Sequence, residues 1–326
     1  MTEPIVELDG VHVVHTARTG GLLRRDRVHA LTEATAGVGR GEVLGIVGES
    51  GCGKSTLAKV ATGLQRPTHG TVRFRGEDLW AMPTARRRRE FGSAMGAVFQ
   101  DPSTALNPRL SVRAILRDPL DVHRRGTRAA REERVDELVS LVGLPGHVGD
   151  AVPAQLSGGQ RQRVAVARAL ALQPDVVVAD EPTSALDVSV RAQVLNLLVD
   201  LRSRLGLGMV FVSHDIQTVR HLADRIAVMY LGRIVEEGPA ERIVAEPRHP
   251  YTRALFSATP SLLHGSERII LHGPVPSATA PPSGCPFRTR CWKATDTCAE
   301  AFPDSESEDG HTWNCVHPET TARSTA

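Results

Sequence analysis

Short apolar runs alternate with stretches of helical periodicity along most of this chain. Runs rich in β-branched and other apolar residues predict strands at residues 5–14, 27–31, 42–47, 71–74, 96–99, 176–179 and 209–212. Helical periodicity predicts helices at residues 55–64, 160–172 and 190–205, and a mostly helical insertion at about residues 101–155. Buried strands that alternate with helices indicate an α/β fold with a mainly parallel sheet at its core.

The composition excludes several classes of protein. Of the 326 residues, 41% are hydrophobic and 23% are charged, which excludes a wholly disordered chain. The 39 Lys and Arg residues nearly balance the 37 Asp and Glu residues, and only 4% of the residues are aromatic. A protein bound to nucleic acid by charge or base stacking would be more basic and richer in aromatic residues, so no nucleic-acid partner is expected.

The apolar runs are too short to cross a membrane. Those at residues 176–179 and 226–229 fall far below the roughly 18–20 residues that a span needs. The N-terminal sequence MTEPIVEL lacks the basic start and apolar stretch of a signal peptide, which predicts a cytosolic chain. In that compartment clustered cysteines are expected to be metal ligands rather than disulfides.

Pro, Ser, Thr and Gly become frequent from residue 247 onward, which predicts a boundary between two units there.

Residues 48–55, GESGCGKS, fit the phosphate-binding pattern G-x-x-x-x-G-K-[ST]. Its glycines let backbone N–H groups point at phosphates, and the following helix presents its positive N-terminal end. Lys54, one of only three lysines in the chain, is predicted to reach the β- and γ-phosphates, and Ser55 is predicted to bind Mg²⁺. A glycine-rich turn without a ligand is the alternative, but the strand before the pattern and the helix after it favour the phosphate site. Cys52 is expected to be a small filler side chain.

The run VVVADE at residues 176–181 is a predicted buried strand that ends in two carboxylates. Such a strand delivers acidic side chains to the carboxyl edge of a sheet, beside a bound nucleotide. Asp180 is predicted to hold Mg²⁺ through water, and Glu181 to polarise or deprotonate the attacking water. On its own this pattern is weak, because many strands end in acidic residues.

Residues 156–160, LSGGQ, resemble the signature motif of the ATP-binding cassette (ABC) family of ATPases. A serine hydroxyl and glycine N–H groups at a helix start also form an anion site on physical grounds. Three further segments resemble family motifs in the expected order: VFQDP with Gln100, SALD with Asp187, and FVSHD with His214. The resemblance implies a P-loop NTPase fold with a parallel-sheet core, an antiparallel β subdomain and an inserted α-helical subdomain.

The family resemblance also implies a role for each matched residue. In the family the signature motif closes over the γ-phosphate held by a second cassette, which implies a head-to-tail dimer with two ATP molecules between the subunits. Catalysis is expected to involve Glu181, His214 and Gln100, with Mg²⁺ held by Ser55, Gln100 and Asp180. The residues expected to contact ATP are Gly48, Ser50, Gly51, Cys52, Gly53, Lys54, Ser55, Thr56, His15, Ser157, Gly158, Gly159, Gln160 and Asp187. His15 departs from the pattern, because many cassettes have an aromatic residue near this position that stacks on adenine. Stacking of adenine on His15 and packing of adenine on Val14 are the two alternatives.

The C-terminal part resembles an extension found in the ATPases of oligopeptide and dipeptide importers. The resemblance rests on RHPYTRAL at residues 248–255, GPVP at residues 273–276 and PSGCPFRTRC at residues 282–291. Its cysteines are Cys285, Cys291, Cys298 and Cys315. Four thiolates can hold Zn²⁺ or an iron–sulfur cluster, and spacings wider than a C-x2–4-C knuckle favour the cluster. The family resemblance also points to a [4Fe–4S] cluster, with zinc or free thiols as the alternatives and His311 and His317 as substitute ligands.

Together these features predict an ATP-hydrolysing subunit of an ABC importer that drives uptake of di- or oligopeptides, or a related small solute. The expected units are a cassette at residues 1–246 and the extension at residues 247–326. The expected partners are two transmembrane permease subunits, a second ATPase subunit, here a paralogue, and an extracytoplasmic binding protein that acts through the permease. The chain would then lie at the cytoplasmic face of the membrane. A soluble ABC ATPase without a permease and a non-catalytic ABC subunit are the alternatives.

Overall fold

The computed structural model describes residues 3–18, 25–258 and 268–320. The strands in this part of the chain are β1 (Val6–Arg18), β2 (Arg25–Val38), β3 (Val43–Val47), β4 (His69–Phe74), β5 (Glu77–Asp78), β6 (Met95–Val98), β7 (Val176–Asp180), β8 (Gly208–Val212), β9 (Arg225–Tyr230), β10 (Arg233–Pro239), β11 (Glu306–Glu308) and β12 (His311–Trp313). The α-helices are α1 (Lys54–Ala61), α2 (Thr84–Arg89), α3 (Phe91–Ala94), α4 (Pro102–Ala105), α5 (Val112–Val122), α6 (Arg128–Leu141), α7 (Gly158–Ala169), α8 (Val188–Leu205), α9 (Ile216–Leu222), α10 (Ala240–Ala245), α11 (Pro250–Ser257) and α12 (Thr297–Glu300). Short 3₁₀ helices lie at Gly146–Asp150 and Pro153–Gln155.

The larger sheet is mixed rather than parallel throughout. Its strand order is β11-β12-β10-β9-β3-β8-β7-β6. The neighbours from β9 through β3, β8 and β7 to β6 pair in parallel, whereas β9, β10, β12 and β11 pair antiparallel. The predicted parallel core is therefore confirmed for the strands that carry the candidate motifs. It is wrong for the opposite edge, where tight turns rather than helices connect β9 to β10 and β11 to β12.

Both faces of the parallel strands are buried, which explains why they form continuous apolar runs in the sequence. Successive residues of β3 belong to different cores. Val43 and Val47 pack with α7, α8 and the helical insertion, whereas Leu44 and Ile46 pack with α1 and the smaller sheet. Because side chains alternate along a strand, one apolar run supplies two separate hydrophobic layers.

The smaller sheet is antiparallel, with strand order β2-β1-β4-β5, and this confirms the predicted antiparallel subdomain. Strand β1 pairs with β2 from Val6 opposite Val38 to Arg18 opposite Arg25, with register shifts between Leu8 and Val14. Strand β1 continues to Arg18, beyond the strand predicted at residues 5–14, and residues 19–24 lie outside the described part of the chain.

The insertion between β6 and β7 consists of α4, α5 and α6 followed by the two 3₁₀ helices. Ser111 and Thr127 begin α5 and α6, and each side chain accepts a hydrogen bond from the backbone N–H three residues later. Val135, Leu138 and Val139 of α6 are buried and join the larger core. The helices of this segment pack against each other and against α7, which connects them to the larger core.

The C-terminal part is more regular than the sequence indicated. It contains α11 and the β11–β12 hairpin, and β12 extends the larger sheet by pairing Trp313 with Glu236 of β10. Phe287 is fully buried, and its contacts place it in the same hydrophobic core as the parallel strands. Residues 268–296 contain no helix or strand, yet the extension shares both a sheet and a core with the preceding residues.

None of the helices in the described part of the chain has the length and apolar character needed to cross a membrane.

Candidate functional site

The phosphate loop connects β3 to α1, and its glycines are required by sterics. Gly48 and Gly53 have φ angles of 155° and 110°. A Cβ atom on Gly48 would lie 2.2 Å from the carbonyl oxygen of Met229, and one on Gly53 would lie 2.4 Å from that of Ala30. The backbones of β9 and β2 therefore contact this loop closely, and only glycine fits at these two positions.

Lys54 is buried and folds back over the loop. Its Nζ donates to the carbonyl oxygens of Gly48 (2.8 Å) and Glu49 (3.0 Å). Gly53, the N-cap residue of α1, provides no side-chain hydrogen bond to the first turn. Backbone N–H groups at such a helix start can bind an anion, and Lys54 lies beside them. Ser50 and Gly51 are exposed at the tip of the loop, and Thr56 is half-buried in the first turn.

Ser55 and Asp180 are brought together from distant parts of the sequence. The Ser55 hydroxyl donates to Asp180 Oδ1 over 3.2 Å. Burial raises the pKa of Asp180, and the hydrogen bond from Ser55 acts in the opposite direction. Two hard oxygen donors at this separation, one of them a carboxylate, suit Mg²⁺.

Glu181 lies at the centre of a second group. Its Oε2 accepts a hydrogen bond from Gln100 Nε2 (3.3 Å) and lies 3.2 Å from His214 Nδ1. Gln100, Glu181 and His214 follow β6, β7 and β8, which are adjacent parallel strands, so their carboxyl ends meet at one edge of the sheet. The Glu181 side chain is 15% exposed and His214 is 59% exposed.

The backbone of Glu181 is strained, with a φ angle of 46° that non-glycine residues rarely adopt. Its N–H still donates to the carbonyl oxygen of Val212 over 2.9 Å. Strain of this kind persists only where the surrounding structure holds it in place, and it is common at functional sites.

The signature segment begins α7 through a capping box. Ser157 Oγ accepts from the N–H of Gln160 (3.3 Å), and Gln160 Oε1 accepts from the N–H of Ser157 (2.9 Å). A Cβ atom on Gly159 would lie 2.5 Å from Val190 of α8, and one on Gly158 would contact Leu186. The signature segment therefore packs against the start of α8.

Asp187 is the N-cap residue of α8 and is exposed. It accepts hydrogen bonds from the N–H of Val190 (3.0 Å) and the hydroxyl of Ser189 (2.8 Å), which lower its pKa. Its carboxylate thus has a structural role in this chain. The exposed His15 of β1 lies 3.5 Å from Gln65, measured between their Nε2 atoms.

The four C-terminal cysteines line one small cavity together with Phe287. Cys285 and Cys298 are buried, and the N–H of Cys285 donates to the carbonyl oxygen of Cys298 over 2.8 Å. Burial raises the pKa of Cys285 to about 11 and that of Cys315 to about 12. Within the described ranges, no three His, Cys, Asp or Glu side chains are placed to hold one metal ion.

The candidate substitute ligands have other partners: His311 Nε2 lies 2.7 Å from Glu236 Oε1, and His317 Nε2 lies 2.8 Å from Thr295 Oγ1.

Sequence reasoning missed the residues that hold the phosphate loop from outside. The Glu49 carboxylate accepts two hydrogen bonds from the Arg290 guanidinium, at 2.7 and 3.1 Å. The N–H of Glu49 donates to the hydroxyl of Tyr251 over 2.9 Å. Arg290 immediately precedes Cys291, but nothing in the sequence links two residues 241 positions apart.

Comparison with known proteins supplies independent findings. Residues 31–184 match the family described as ABC transporter. Residues 235–298 match the family described as oligopeptide/dipeptide transporter, C-terminal region. The chain is 45% identical over 320 residues to the dipeptide transport ATP-binding protein DppF of Haemophilus influenzae, covering 96% of this chain and 97% of that protein. It is 42% identical to the oligopeptide transport ATP-binding protein AppF of Bacillus subtilis, with 96% and 97% covered.

Solved structures agree in fold. The dimeric post-hydrolysis structure of the ATP-binding cassette MJ0796, bound to ADP and Pi, superposes with a TM-score of 0.63 at 32% identity, covering 72% of this chain and 98% of that one. The structure of cbiO1 from Clostridium perfringens, part of the ABC transporter complex cbiONQ, also has a TM-score of 0.63, at 29% identity, covering 74% of this chain and 91% of that one.

Proposed function

The chain belongs to the oligopeptide/dipeptide transport group of ABC transporter ATP-binding proteins, and on this basis we propose that it hydrolyses ATP to drive import of di- or oligopeptides. The observation that carries the proposal is the convergence of Gln100, Glu181 and His214 beside the phosphate loop. A likeness of 45% across nearly the whole of a dipeptide transport relative supports the choice of substrate class.

The catalytic roles follow from the chemistry of the site. Loop N–H groups and Lys54 bind the phosphates, as the open start of α1 and the position of Nζ allow. Mg²⁺, held by Ser55, Asp180 and Gln100, would supply charge stabilisation at the transferred phosphoryl group. Glu181 orients and deprotonates the attacking water, and His214 and Gln100 hold its carboxylate in position.

The remaining nucleotide contacts belong to a dimer. The exposed Ser157, with Gly158, Gly159 and Gln160, would contact the γ-phosphate of ATP bound to a partner cassette, and Asp187 would lie at the same interface. The partner is a paralogue arranged head to tail. The dimeric structure of the bacterial ABC transporter cassette MJ0796 supports the proposal of a dimer. In this arrangement His15 would contact the adenine base of ATP.

The assembled transporter would contain two permease subunits, which span the membrane and receive an extracytoplasmic binding protein. This chain would lie at the cytoplasmic face, with the helical part at about residues 101–155 toward the permease. The unit boundary is proposed at residue 246, with the extension at residues 247–326. The match of residues 235–298 to a transporter C-terminal region supports an added segment of this kind.

The extension is proposed to hold a [4Fe–4S] cluster through Cys285, Cys291, Cys298 and Cys315. The observation that supports this proposal is that the four cysteines line one cavity. A bound cluster would cross-link the extension, whose own apolar content is low.

The test is Glu181→Gln in the assembled transporter reconstituted with its permease and binding protein. ATP binding should persist, while turnover and peptide uptake fall by about 10²–10⁴-fold, because the variant cannot take a proton from water. Glu241→Gln, at an exposed glutamate on α10 outside the helical part, is the matched control and should behave as wild type. Unchanged turnover in Glu181→Gln would refute the assignment. ATPase activity without any uptake of peptides would favour a permease-independent ATPase.

A further inference from the structure

We propose that Arg290 of the C-terminal extension is a positioning residue for the phosphate loop and neutralises the Glu49 carboxylate beside the bound phosphates. This inference rests on the proposed nucleotide role of residues 48–55. It assigns to the extension a direct effect on nucleotide affinity.

Glu49 is held on three sides. Its carboxylate forms a two-point pair with Arg290, its N–H donates to Tyr251 Oη, and its carbonyl oxygen accepts from Lys54 Nζ. The Arg290 side chain is 8% exposed, that of Glu49 is 27% exposed, and Tyr251 is fully buried. Two-point pairs of arginine with carboxylate fix orientation as well as charge. Lys54, the proposed phosphate-binding lysine, and Arg290 of the extension therefore both contact Glu49.

The charge of Glu49 makes this pairing necessary. A carboxylate in a phosphate-binding loop repels the anionic ligand, and that repulsion is strong where the surroundings are partly buried. With Arg290 in place, the pair carries no net charge. Without it, the loop would present a carboxylate next to the lysine that has to attract the phosphates.

Arg290 is itself held firmly by the extension. Its N–H donates to the carbonyl oxygen of Phe287 over 2.9 Å. The Phe287 ring lies 5.3 Å from the rings of both Tyr230 and Tyr251, measured between centroids. The next residue after Arg290 is Cys291, which lines the cysteine cavity. The Arg290 guanidinium therefore extends from a segment that is packed against the aromatic rings of the core.

The experiment measures the affinity of the full-length chain for a non-hydrolysable ATP analogue with Mg²⁺. Arg290→Gln should weaken binding by about tenfold, because Glu49 becomes an unpaired negative charge. Adding Glu49→Gln to Arg290→Gln should restore affinity to within about threefold of wild type. Arg290→Lys, which keeps the charge but loses the two-point geometry, should bind more tightly than Arg290→Gln and less tightly than wild type. In turnover, Arg290→Gln should raise KM and leave kcat nearly unchanged.

Arg288→Gln is the matched control. Arg288 belongs to the same segment but donates to the backbone oxygen and hydroxyl of Ser283 instead of the phosphate loop. The affinity of the Arg288→Gln variant for the ATP analogue should equal that of wild type. Thermal unfolding of every variant separates loss of affinity from loss of fold.

Two results would overturn the proposal. One is wild-type affinity in Arg290→Gln, and the other is a double variant as weak as Arg290→Gln alone, which would mean that Arg290 acts through packing rather than charge. Lys54→Ala separates the two levels of inference. If wild type binds the analogue and Lys54→Ala does not, the proposed nucleotide site is supported, and this conclusion does not depend on the result for Arg290→Gln. If wild type fails to bind, the proposed function itself fails.

Discussion

Cys52 illustrates, at the scale of a single residue, how its surroundings suppress the reactivity of a side chain in the phosphate loop. The residue is 5% exposed, and a Cβ atom on Gly48 would lie only 2.8 Å from its sulfur. Burial raises the pKa of the Cys52 thiol, and the nearby Lys54 charge only partly opposes this. The thiol therefore fills space between the loop and its neighbours and remains protonated at neutral pH.

This environment predicts slow alkylation of Cys52. Only the thiolate reacts, and a raised pKa lowers the thiolate fraction at any pH below it. At pH 7.5, iodoacetamide should modify Cys52 in the folded chain at least about tenfold more slowly than in urea-unfolded chain, and the rate should rise with pH toward the raised pKa. Mass spectrometry of the Cys52 peptide measures both rates, with Cys52→Ser identifying the signal. Equal rates in folded and unfolded chain would contradict this account.

The individual residues of the candidate site differ in how far the sequence could predict them. Lys54, Asp180 and Glu181 belong to short local patterns with a known physical purpose, so their positions could be predicted. The positive φ angle of Glu181 could not, because it arises where β7 ends against β8. Neither could the pairing of Glu49 with Arg290, since it depends on how the extension folds back onto the loop.

At the scale of secondary structure, β10 joins the two parts of the molecule. It pairs with β9 on one side and with β12 of the C-terminal hairpin on the other. Glu236 of β10 is 1% exposed, yet its carboxylate has partners on every side: the N–H groups of Arg248 and His249, and His311 Nε2, all at 2.7 Å. One buried acid thus connects β10, the start of α11 and β12.

Replacement of this acid should strongly destabilise the chain. Glu236→Ala leaves two backbone N–H groups and a histidine buried without their acceptor, so we expect the free energy of unfolding to fall by about 3–5 kcal/mol. Urea denaturation at pH 7 measures the change. Glu241→Ala, an exposed glutamate on α10, is the control and should change stability by less than about 0.5 kcal/mol. Similar stability of the two variants would show that the Glu236 cluster is not what holds these elements together.

Elements with strong local patterns could be predicted, and elements without them could not. The runs that became β3, β7 and β8 are apolar throughout because both of their faces are buried. Strand β10 contains two adjacent glutamates that look exposed in the sequence, but Glu237 is paired with Arg225 and Glu236 contacts His311. Strand β12 is three residues long, too short to show any periodicity, and forms only because β10 offers a free edge.

At the scale of the whole molecule, the extension and the cassette share one sheet and one hydrophobic core. The extension adds strands to the larger sheet, contributes Phe287 to its core and pairs Arg290 with Glu49. The N–H of His29 in β2 also donates to the carbonyl oxygen of Ala278 over 2.9 Å. A change at the cysteine cavity should therefore affect the phosphate loop through Arg290, which directly precedes Cys291.

Loss of one cysteine ligand tests this coupling. After anaerobic purification, wild type should contain about four iron and four sulfide ions per chain, as expected for a [4Fe–4S] cluster. Cys291→Ala should lower the iron content and weaken nucleotide binding together, because the segment that carries Arg290 loses its anchor. Arg290→Gln should weaken nucleotide binding with iron content unchanged, and Cys52→Ala should keep the iron, since Cys52 lies in the phosphate loop instead of the cavity. Stoichiometric zinc without iron would refute the cluster, and full nucleotide affinity in iron-free Cys291→Ala would refute the coupling while leaving the Glu49–Arg290 pair intact.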